Sequence, residues 1–358
     1  MAIEWLAGNR LRGTTAERPN FGLPSGSVGG WVEVGRTTLG SAGDTIDVTS
    51  LPDKRYYMIL GYHTATGGNT GALYRLNGDT GTNYAWRYCA DGGSETTGTS
   101  ETYGFFGGVT DALPEFNVGY LANISSKEKL AIMHTINQNT AGAGTAPQRR
   151  EVVGKHAQTS NPINAVNCYN VQSGDFDTGS EVVVLGWDPA DTHTSNFWEE
   201  LASVTASGSS NNMEASITSK KYIWVQAYMS NSALSKTQMV VGNSTVDTSA
   251  NYASRYSNNG GSDSTQTSLG SMKLNGNQNQ AANVGRFVNV FIINNSSNEK
   301  LAISNYVFQN TAGSGNAPSR VEGVHKWINT SNQIDKIQIT TPDGNINSDG
   351  IMKVWGAD

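Results

Sequence analysis

Aromatic side chains alternate along two segments of the sequence in a pattern that could bind sugars. Segments 83–88 and 251–256 share the sequence Asn-Tyr-Ala-x-Arg-Tyr. Alternate residues of a β-strand lie on one face, so the rings would form a row on which a sugar could stack. An ordinary half-buried strand has the same pattern, and we favour that interpretation because both copies keep it. The candidate glycan-contact residues are Tyr84, Trp86, Tyr88, Tyr252 and Tyr256.

An acidic turn near the end of the sequence imitates a calcium-binding loop. Its oxygen-bearing side chains are Asp343, Asn345, Asn347 and Asp349. A calcium loop of the EF-hand type also needs Gly at its sixth position and a bidentate Glu at its twelfth, where this sequence has Val354. We therefore interpret the segment as a turn between strands and keep calcium as the weaker alternative.

A glycine-containing loop occurs twice, each time followed by an Arg and a Glu two residues apart. It lacks the Lys-Ser/Thr of a phosphate-binding loop and no helix follows it, so we interpret it as a strand-to-strand turn. Residues two apart share a strand face. We therefore expect two ion pairs that order the loop, one between Arg149 and Glu151 and one between Arg320 and Glu322.

No set of residues in the sequence matches a known catalytic arrangement. The five histidines have no metal-ligand spacing, and no Gly-x-Ser-x-Gly motif occurs. The adjacent Glu199 and Glu200 would point to opposite faces of a strand and could not act together on one glycosidic bond. We expect a protein that is not an enzyme and that needs no cofactor.

The composition favours strands and argues against several classes of partner. Only 15% of the 358 residues are charged, 41 are Gly, and the formal net charge is −6. Helix surfaces are usually rich in charge, so a helical bundle is excluded, and the acidic balance argues against electrostatic binding of nucleic acid. No apolar run approaches the length of a membrane-spanning helix.

An internal duplication divides the chain into two similar units. Residues 128–155 and 299–326 are identical at 17 of 28 aligned positions. The match extends in both directions and ends with Val184-x-Gly186-x-Asp188 against Val354-x-Gly356-x-Asp358. We therefore expect an N-terminal arm (1–29), a first unit (30–188), a linker (189–196) and a second unit (197–358).

Each unit has the pattern of an antiparallel β-sandwich. The first unit has ten short β-branched or aromatic runs, which we predict to be strands: 31–37, 45–49, 56–62, 72–77, 84–89, 115–123, 129–137, 149–156, 163–171 and 181–186. They alternate with turn clusters such as Asn77-Gly78-Asp79 and Asp91-Gly92-Gly93. No segment of ten or more residues has a helical period. Eight to ten strands in about 160 residues leave no room for crossover helices, and a jelly roll is the common fold at this length. The sequence predicts an all-β protein with two tandem jelly-roll-like sandwiches.

These features together resemble the structural proteins of viruses that infect bacteria or archaea. Two segments are similar in sequence to phage structural and fibre-like proteins. They are Trp31-Val32-Glu33-Val34-Gly35-Arg36-Thr37-Thr38-Leu39-Gly40 and Asn77-Gly78-Asp79-Thr80-Gly81-x-Asn83-Tyr84-Ala85. Two jelly rolls in one chain resemble the double jelly-roll capsid proteins, in which three chains make a pseudo-hexagonal unit. The two units of this chain are more alike in sequence than the two jelly rolls of that class. A fibre, spike or decoration protein therefore remains an alternative.

The resemblance implies a virion coat subunit that assembles with itself. We expect a homo-oligomer, with a trimer as the first candidate, located in the virion and in contact with other virion proteins. The alternative is a receptor- or glycan-binding module of a viral fibre, which would bind a host surface glycan. A polysaccharide-degrading enzyme is the third and weakest hypothesis.

Overall fold

The structure is a computed structural model that describes residues 30–107, 113–188, 196–310 and 314–358. The expected arm (1–29) and all of the expected linker except Asn196 lie outside these residues. Within the described ranges, no helix is long and apolar enough to cross a membrane.

The described part of the first unit contains fourteen strands, and ten of them correspond to the strands predicted from the sequence. The strands are β1 (Val32–Thr38), β2 (Thr45–Val48), β3 (Tyr56–His63), β4 (Ala65–Thr66), β5 (Ala72–Leu76), β6 (Tyr84–Ala90), β7 (Thr96–Glu101), β8 (Gly104–Phe105), β9 (Glu115–Ala122), β10 (Lys129–Asn137), β11 (Gln148–His156), β12 (Val166–Asn170), β13 (Asp175–Phe176) and β14 (Glu181–Trp187). The four additional strands are β4, β7, β8 and β13.

The described part of the second unit contains twelve strands. They are β15 (Glu199–Thr205), β16 (Asn212–Ser216), β17 (Tyr222–Met229), β18 (Gln238–Asn243), β19 (Thr245–Val246), β20 (Tyr252–Asn258), β21 (Ser264–Leu269), β22 (Arg286–Ile293), β23 (Lys300–Phe308), β24 (Ser319–Trp327), β25 (Lys336–Thr340) and β26 (Ile351–Ala357).

Each unit is an antiparallel sandwich of one large and one small sheet. In the first unit the large sheet has the order β1-β14-β3-β9-β10-β11-β6-β7 and the small sheet has the order β2-β12-β5-β8. The chain crosses repeatedly between the two sheets, from β1 to β2, β3 to β5 and β8 to β9, as a jelly roll does. The all-β, jelly-roll-like prediction is therefore confirmed.

The second unit repeats the eight-strand order of the large sheet and the order of the first three strands of the small sheet. Its sheets have the orders β15-β26-β17-β22-β23-β24-β20-β21 and β16-β25-β18-β19. Even the β-bulges recur, at Glu33/Gly35 and Glu200/Ala202 in the edge strands. Among the described strands, no ladder joins the two units. The duplication seen in the sequence is thus a duplication of the whole fold.

Tight turns at the predicted glycine positions close the hairpins. The turn between β6 and β7 has Asp91 at φ 51° and Gly92 at φ 68°, and the turn between β20 and β21 has Asn259 at φ 52° and Gly260 at φ 73°. Two consecutive positive φ angles define the turn whose twist matches paired strands. Such turns favour Asn or Asp followed by Gly, which is why these dipeptides were informative.

The molecule has four sheet layers and three apolar cores. One core lies between the large and small sheets of the first unit and contains Ile59, Met133 and Val184. The equivalent core of the second unit contains Val225, Ala302 and Val354. A third core lies between the outer faces of the two large sheets, which turn away from their own small sheets. Both faces of each large sheet therefore carry apolar residues.

A buried tyrosine at an equivalent position ties the two sheets of each sandwich together. The Tyr84 hydroxyl accepts a hydrogen bond from the backbone N–H of Leu76 at 2.9 Å. The Tyr252 hydroxyl accepts one from the N–H of Val241 at 3.0 Å and donates to the carbonyl of Asp247 or Val241. Each hydroxyl therefore satisfies backbone groups of a strand in the opposite sheet or the loop after it.

We expect Tyr84→Phe and Tyr252→Phe each to lower the free energy of unfolding by about 1–2 kcal/mol, because each leaves a buried backbone group without its partner. Tyr228→Phe, on a ring that is 44% exposed, is the control and should change stability little. Urea unfolding of the three variants measures this, and equal losses in all three would contradict it.

Candidate functional site at the interface of the units

The two large sheets pack face to face through one end of each outer face. From the first unit the contact uses Tyr62, Phe116 and Ile136, which lie near the ends of their strands. From the second unit it uses Leu301 and Ile303, near the start of β23. The contact therefore joins different ends of two similar surfaces.

The repeated glycine-containing loop of the first unit lies on the second unit. We call residues 138–147, between β10 and β11, the docking loop. The Lys326 ammonium donates hydrogen bonds to the carbonyls of Gln138, at 3.2 Å, and Thr140. The Arg255 guanidinium donates to the carbonyl of Pro147 at 2.7 Å. The second unit thus binds the loop mainly through its backbone carbonyls.

One backbone–backbone hydrogen bond and one hydrogen bond from the backbone to an acidic side chain complete this contact. The N–H of Ser268 donates to the carbonyl of Ala143 at 2.8 Å. The N–H of Gly142, a residue at φ 89°, donates to the Glu299 carboxylate. Burial lowers the pKa of Lys326, and the neighbouring Glu299 carboxylate, 3.5 Å away, partly offsets that effect.

A buried ion pair fixes the start of β11 to the second unit. The Arg149 guanidinium donates hydrogen bonds to both carboxylate oxygens of Asp263, at 2.7–3.0 Å. Both side chains are almost fully buried. Although burial alone lowers the pKa of Arg149, its hydrogen bonds to Asp263 and the charge of Glu151 raise it above the ordinary value. The Arg149 guanidinium therefore stays charged across the ordinary pH range.

A second buried carboxylate, that of Glu181 in β14, links the units at the other side of the sheet. It accepts hydrogen bonds from the Tyr222 hydroxyl at 2.6 Å and the Lys221 ammonium at 2.9 Å, both in the second unit. Thr38 of the first unit also donates to it. Burial acts to raise the pKa of Glu181, but the hydrogen bonds from Thr38 and Tyr222 and the charge of Lys221 lower it.

Equivalent residues of the two units have opposite exposure. Leu301, Ile303 and Val324 of the second unit are at most 5% exposed, whereas their equivalents in the first unit are 51–56% exposed. Those equivalents are Leu130, Ile132 and Val153. The reverse holds at the other end of the sheets, where Phe116 and Ile136 are buried and Phe287 and Val307 are exposed. The part of the outer face that is buried in one unit is therefore exposed in the other unit.

The candidate glycan-contact residues do not form one exposed platform. Tyr84, Tyr252 and Tyr256 are buried in the sandwich cores, because their positions in the alternation point toward the small sheets. Trp86 and Tyr88 are partly exposed and stack on each other at 5.6 Å. Contrary to the exposure expected of a platform, only these two of the five reach the surface.

The two Arg-Glu pairs are both formed, but only one lies in the interface. Arg149 contacts Glu151, and Arg320 contacts Glu322. Arg149 also binds Asp263, whereas the side chain of Arg320 is 59% exposed. The loop that the sequence identified as a turn is therefore a binding element in the first unit.

The four residues of the calcium-like turn hold the turn to the loop after β17. Asp349 accepts hydrogen bonds from the Ser230 hydroxyl at 3.0 Å, and the Asn347 amide donates to Ser230 at 2.8 Å. The backbone N–H groups of Asn345 and Asp343 donate to serine hydroxyls of the same loop. Over the described residues, no group of three or more His, Cys, Asp or Glu side chains could hold a metal ion. Calcium binding stays a prediction.

Sequence reasoning missed the charged residues of the second unit that bind the first. They include Asp263, Glu299 and Lys326. The first unit also has a charged residue at each equivalent position: Glu95, Glu128 and Lys155. In a chain with so few charges, a charge kept in both copies was the signal that could have identified them.

Comparisons with known proteins do not assign the chain to a family. No protein-family profile matches it, and no curated protein matches it significantly. Laminin alpha1 domains LG4-5 from mouse are similar at 8% identity over 91% of this chain and 89% of that one, with a TM-score of 0.20. Neisserial surface protein A is similar at 7% identity over 81% of this chain and 99% of that one, with a TM-score of 0.13. Likenesses of this size carry no argument about fold or function.

We expect Arg149→Met to lower the free energy of unfolding by about 3–5 kcal/mol, because it leaves the buried Asp263 carboxylate without its partner. Arg320→Met is the matched control at the equivalent, exposed position and should cost less than about 1 kcal/mol. Urea unfolding of both variants measures the difference. Equal effects would mean that the buried pair does not hold the units together.

The lowered pKa of Glu181 predicts a dependence on pH. Its stabilising effect is complete above the ordinary pKa of Glu, about 4.3, and is lost as the pH falls through the lowered value in the folded protein. Glu181→Gln should therefore reduce the free energy of unfolding by about 1–3 kcal/mol at neutral pH, and the difference from wild type should shrink in acid. Urea unfolding at about pH 7 and pH 3 tests this. A difference that stayed constant would contradict it.

Proposed function

We propose that this protein is a non-enzymatic structural subunit that assembles with copies of itself in the coat of a virus of bacteria or archaea. The observation that carries the proposal is the large apolar side chains on the uncovered ends of both outer faces. Leu130, Ile132 and Val153 are exposed on one unit, and Phe287 and Val307 on the other. Contiguous apolar surface on a folded protein marks an interaction site.

The low charge of the chain supports the same proposal. Interface cores are depleted in charged residues, because a buried charge loses its hydration. The outer faces here already bury one another over part of their extent, so apolar side chains at these positions are compatible with the fold. The assignment to a virion rests on the resemblance of the tandem jelly rolls to coat proteins, and the trimer and the contacts with other virion proteins are parts of the same proposal.

A specific observation also keeps glycan binding as a second candidate. Trp86 and Tyr88 form an aromatic cluster with Phe105 and Tyr103, at ring distances of 4.6–6.3 Å. The second unit cannot form the same cluster, because the residue equivalent to Trp86 is Ser254. Partly exposed aromatic faces of this kind can stack on a sugar ring.

The proposal predicts a concentration-dependent homo-oligomer that forms ordered particles. Light scattering of the purified chain over a wide concentration range measures the association, and electron microscopy of the same samples shows whether the particles are shells, fibres or rings. A chain that stays monomeric at every concentration would contradict the proposal.

A glycan array separates the second candidate from the first. If wild type binds a glycan and Trp86→Ala does not, the aromatic cluster is a binding site. The matched control is Trp187→Ala, on a half-buried ring that stacks on Tyr56 in the same sheet.

A further inference from the structure

The first unit has an empty groove at the position where the second unit binds the docking loop. We call this the free groove; it lies on the outer face of β6, β10 and β11 and has a volume of about 580 Å³. Its lining includes Trp86, Arg87, Leu130, Ile132, Val153 and Lys155. The equivalent residues of the second unit are Ser254, Arg255, Leu301, Ile303, Val324 and Lys326. Five of the six pairs are identical.

The free groove keeps the side chains that bind the docking loop in the second unit. Lys155 and Arg87 are equivalent to Lys326 and Arg255, whose cationic groups donate to the loop carbonyls. In the free groove, these cations are about half exposed, and among the described residues they pair with the exposed carboxylates of Glu128 and Glu95. The donors for a second loop are therefore in place and face solvent.

The second unit carries a matching loop whose described residues 314–318 are exposed. Its sequence, Gln309-Asn310-Thr311-Ala312-Gly313-Ser314-Gly315-Asn316-Ala317-Pro318, differs from that of residues 138–147 only at two positions. Residues 311–313 lie outside the described residues, and residues 314–318 are exposed. In the docked loop, by contrast, Ala146 and Pro147 are buried. One chain thus has one unused loop and one unused groove.

We infer that the free groove binds the loop 309–318 of a second copy of this chain. This contact between chains repeats the contact that residues 138–147 already make within the chain, and the groove is continuous with that established interface because Ile132 and Ile136 lie on the same face of β10. The second copy is the occupant because it alone is known, from this structure, to carry a loop that fits such a groove.

The inferred contact joins two different surfaces, the loop of one copy and the groove of another. Two copies that exchange loops form a closed dimer, whereas copies that each bind a different neighbour form a ring or an open filament. The inference rests on the proposed self-assembly and names the surfaces that carry it out.

Two variants, each defective on one side, test the inference. Ile132→Glu places a charge in the free groove, and Ala317→Glu blocks the loop at a position whose docked equivalent, Ala146, is 5% exposed. Both altered residues are exposed in the single chain, so both variants should fold. Leu234→Glu, at a residue that is 55% exposed elsewhere on the second unit, is the matched control.

Sedimentation velocity of each variant, alone and mixed, gives the expected pattern. Wild type and Leu234→Glu should form a dimer or a larger species, and each interface variant alone should be monomeric. An equimolar mixture of the two interface variants should form a dimer and nothing larger, because only one intact groove and one intact loop remain to meet.

The contrary outcomes separate this inference from the proposed function. If wild type associates and both interface variants associate equally well, self-assembly stands and the inferred surfaces are wrong. If wild type is monomeric at every concentration, the proposed function is wrong. A monomeric wild type would overturn the inference as well. Hydrogen exchange would then show where the loop lies: protection of residues 314–318 that Ile132→Glu abolishes would mean that the loop binds the groove of its own chain, and no protection would mean that it binds neither groove.

Discussion

The stacking of the two large sheets is the contact on which the rest of this structure depends. A jelly-roll unit can bury the inner face of its large sheet against its own small sheet, but the outer face needs another partner. Here the partner is the other copy, and an apolar core between the outer faces replaces water over part of each sheet. Because apolar contact alone does not fix a relative position, the buried Arg149–Asp263 pair and the Glu181 carboxylate set the register of one unit on the other.

Much of the fold followed from the sequence, because period-2 alternation and Asn-Gly or Asp-Gly turns are local signals. The ten predicted strands of the first unit are all present, and the duplication placed the second set. The strands that were missed, β4, β8 and β13, have two residues each, too few for any alternation, and β7 is rich in Thr, Ser and Gly. Local patterns carry no information about such segments, which pair only because the surrounding sheet offers an edge.

The candidate site was harder to predict because both faces of each large sheet are apolar. Alternation shows that Tyr84 and Ala85 face opposite sides, but it does not show which side is the core. The sequence therefore makes Tyr84 a candidate contact residue, whereas in the structure its ring closes the sandwich core. Likewise, Leu130 and Leu301 are the same residue in the same strand context, and only the tertiary arrangement buries one of them and exposes the other. Such a difference between identical positions has no signature in the sequence.

The short linker gives the contact within the chain an advantage that no pair of separate molecules has. Two units joined by about eight residues meet at an effective concentration in the millimolar range, set by the tether. The docking loop is therefore bound in most folded chains as long as the intrinsic dissociation constant of the contact lies below that concentration. A contact of the same design between chains has no tether and responds to the amount of protein present. Duplication of one unit thus divides a single kind of contact into a permanent form, which holds the subunit together, and a conditional form, which becomes populated only as subunits accumulate.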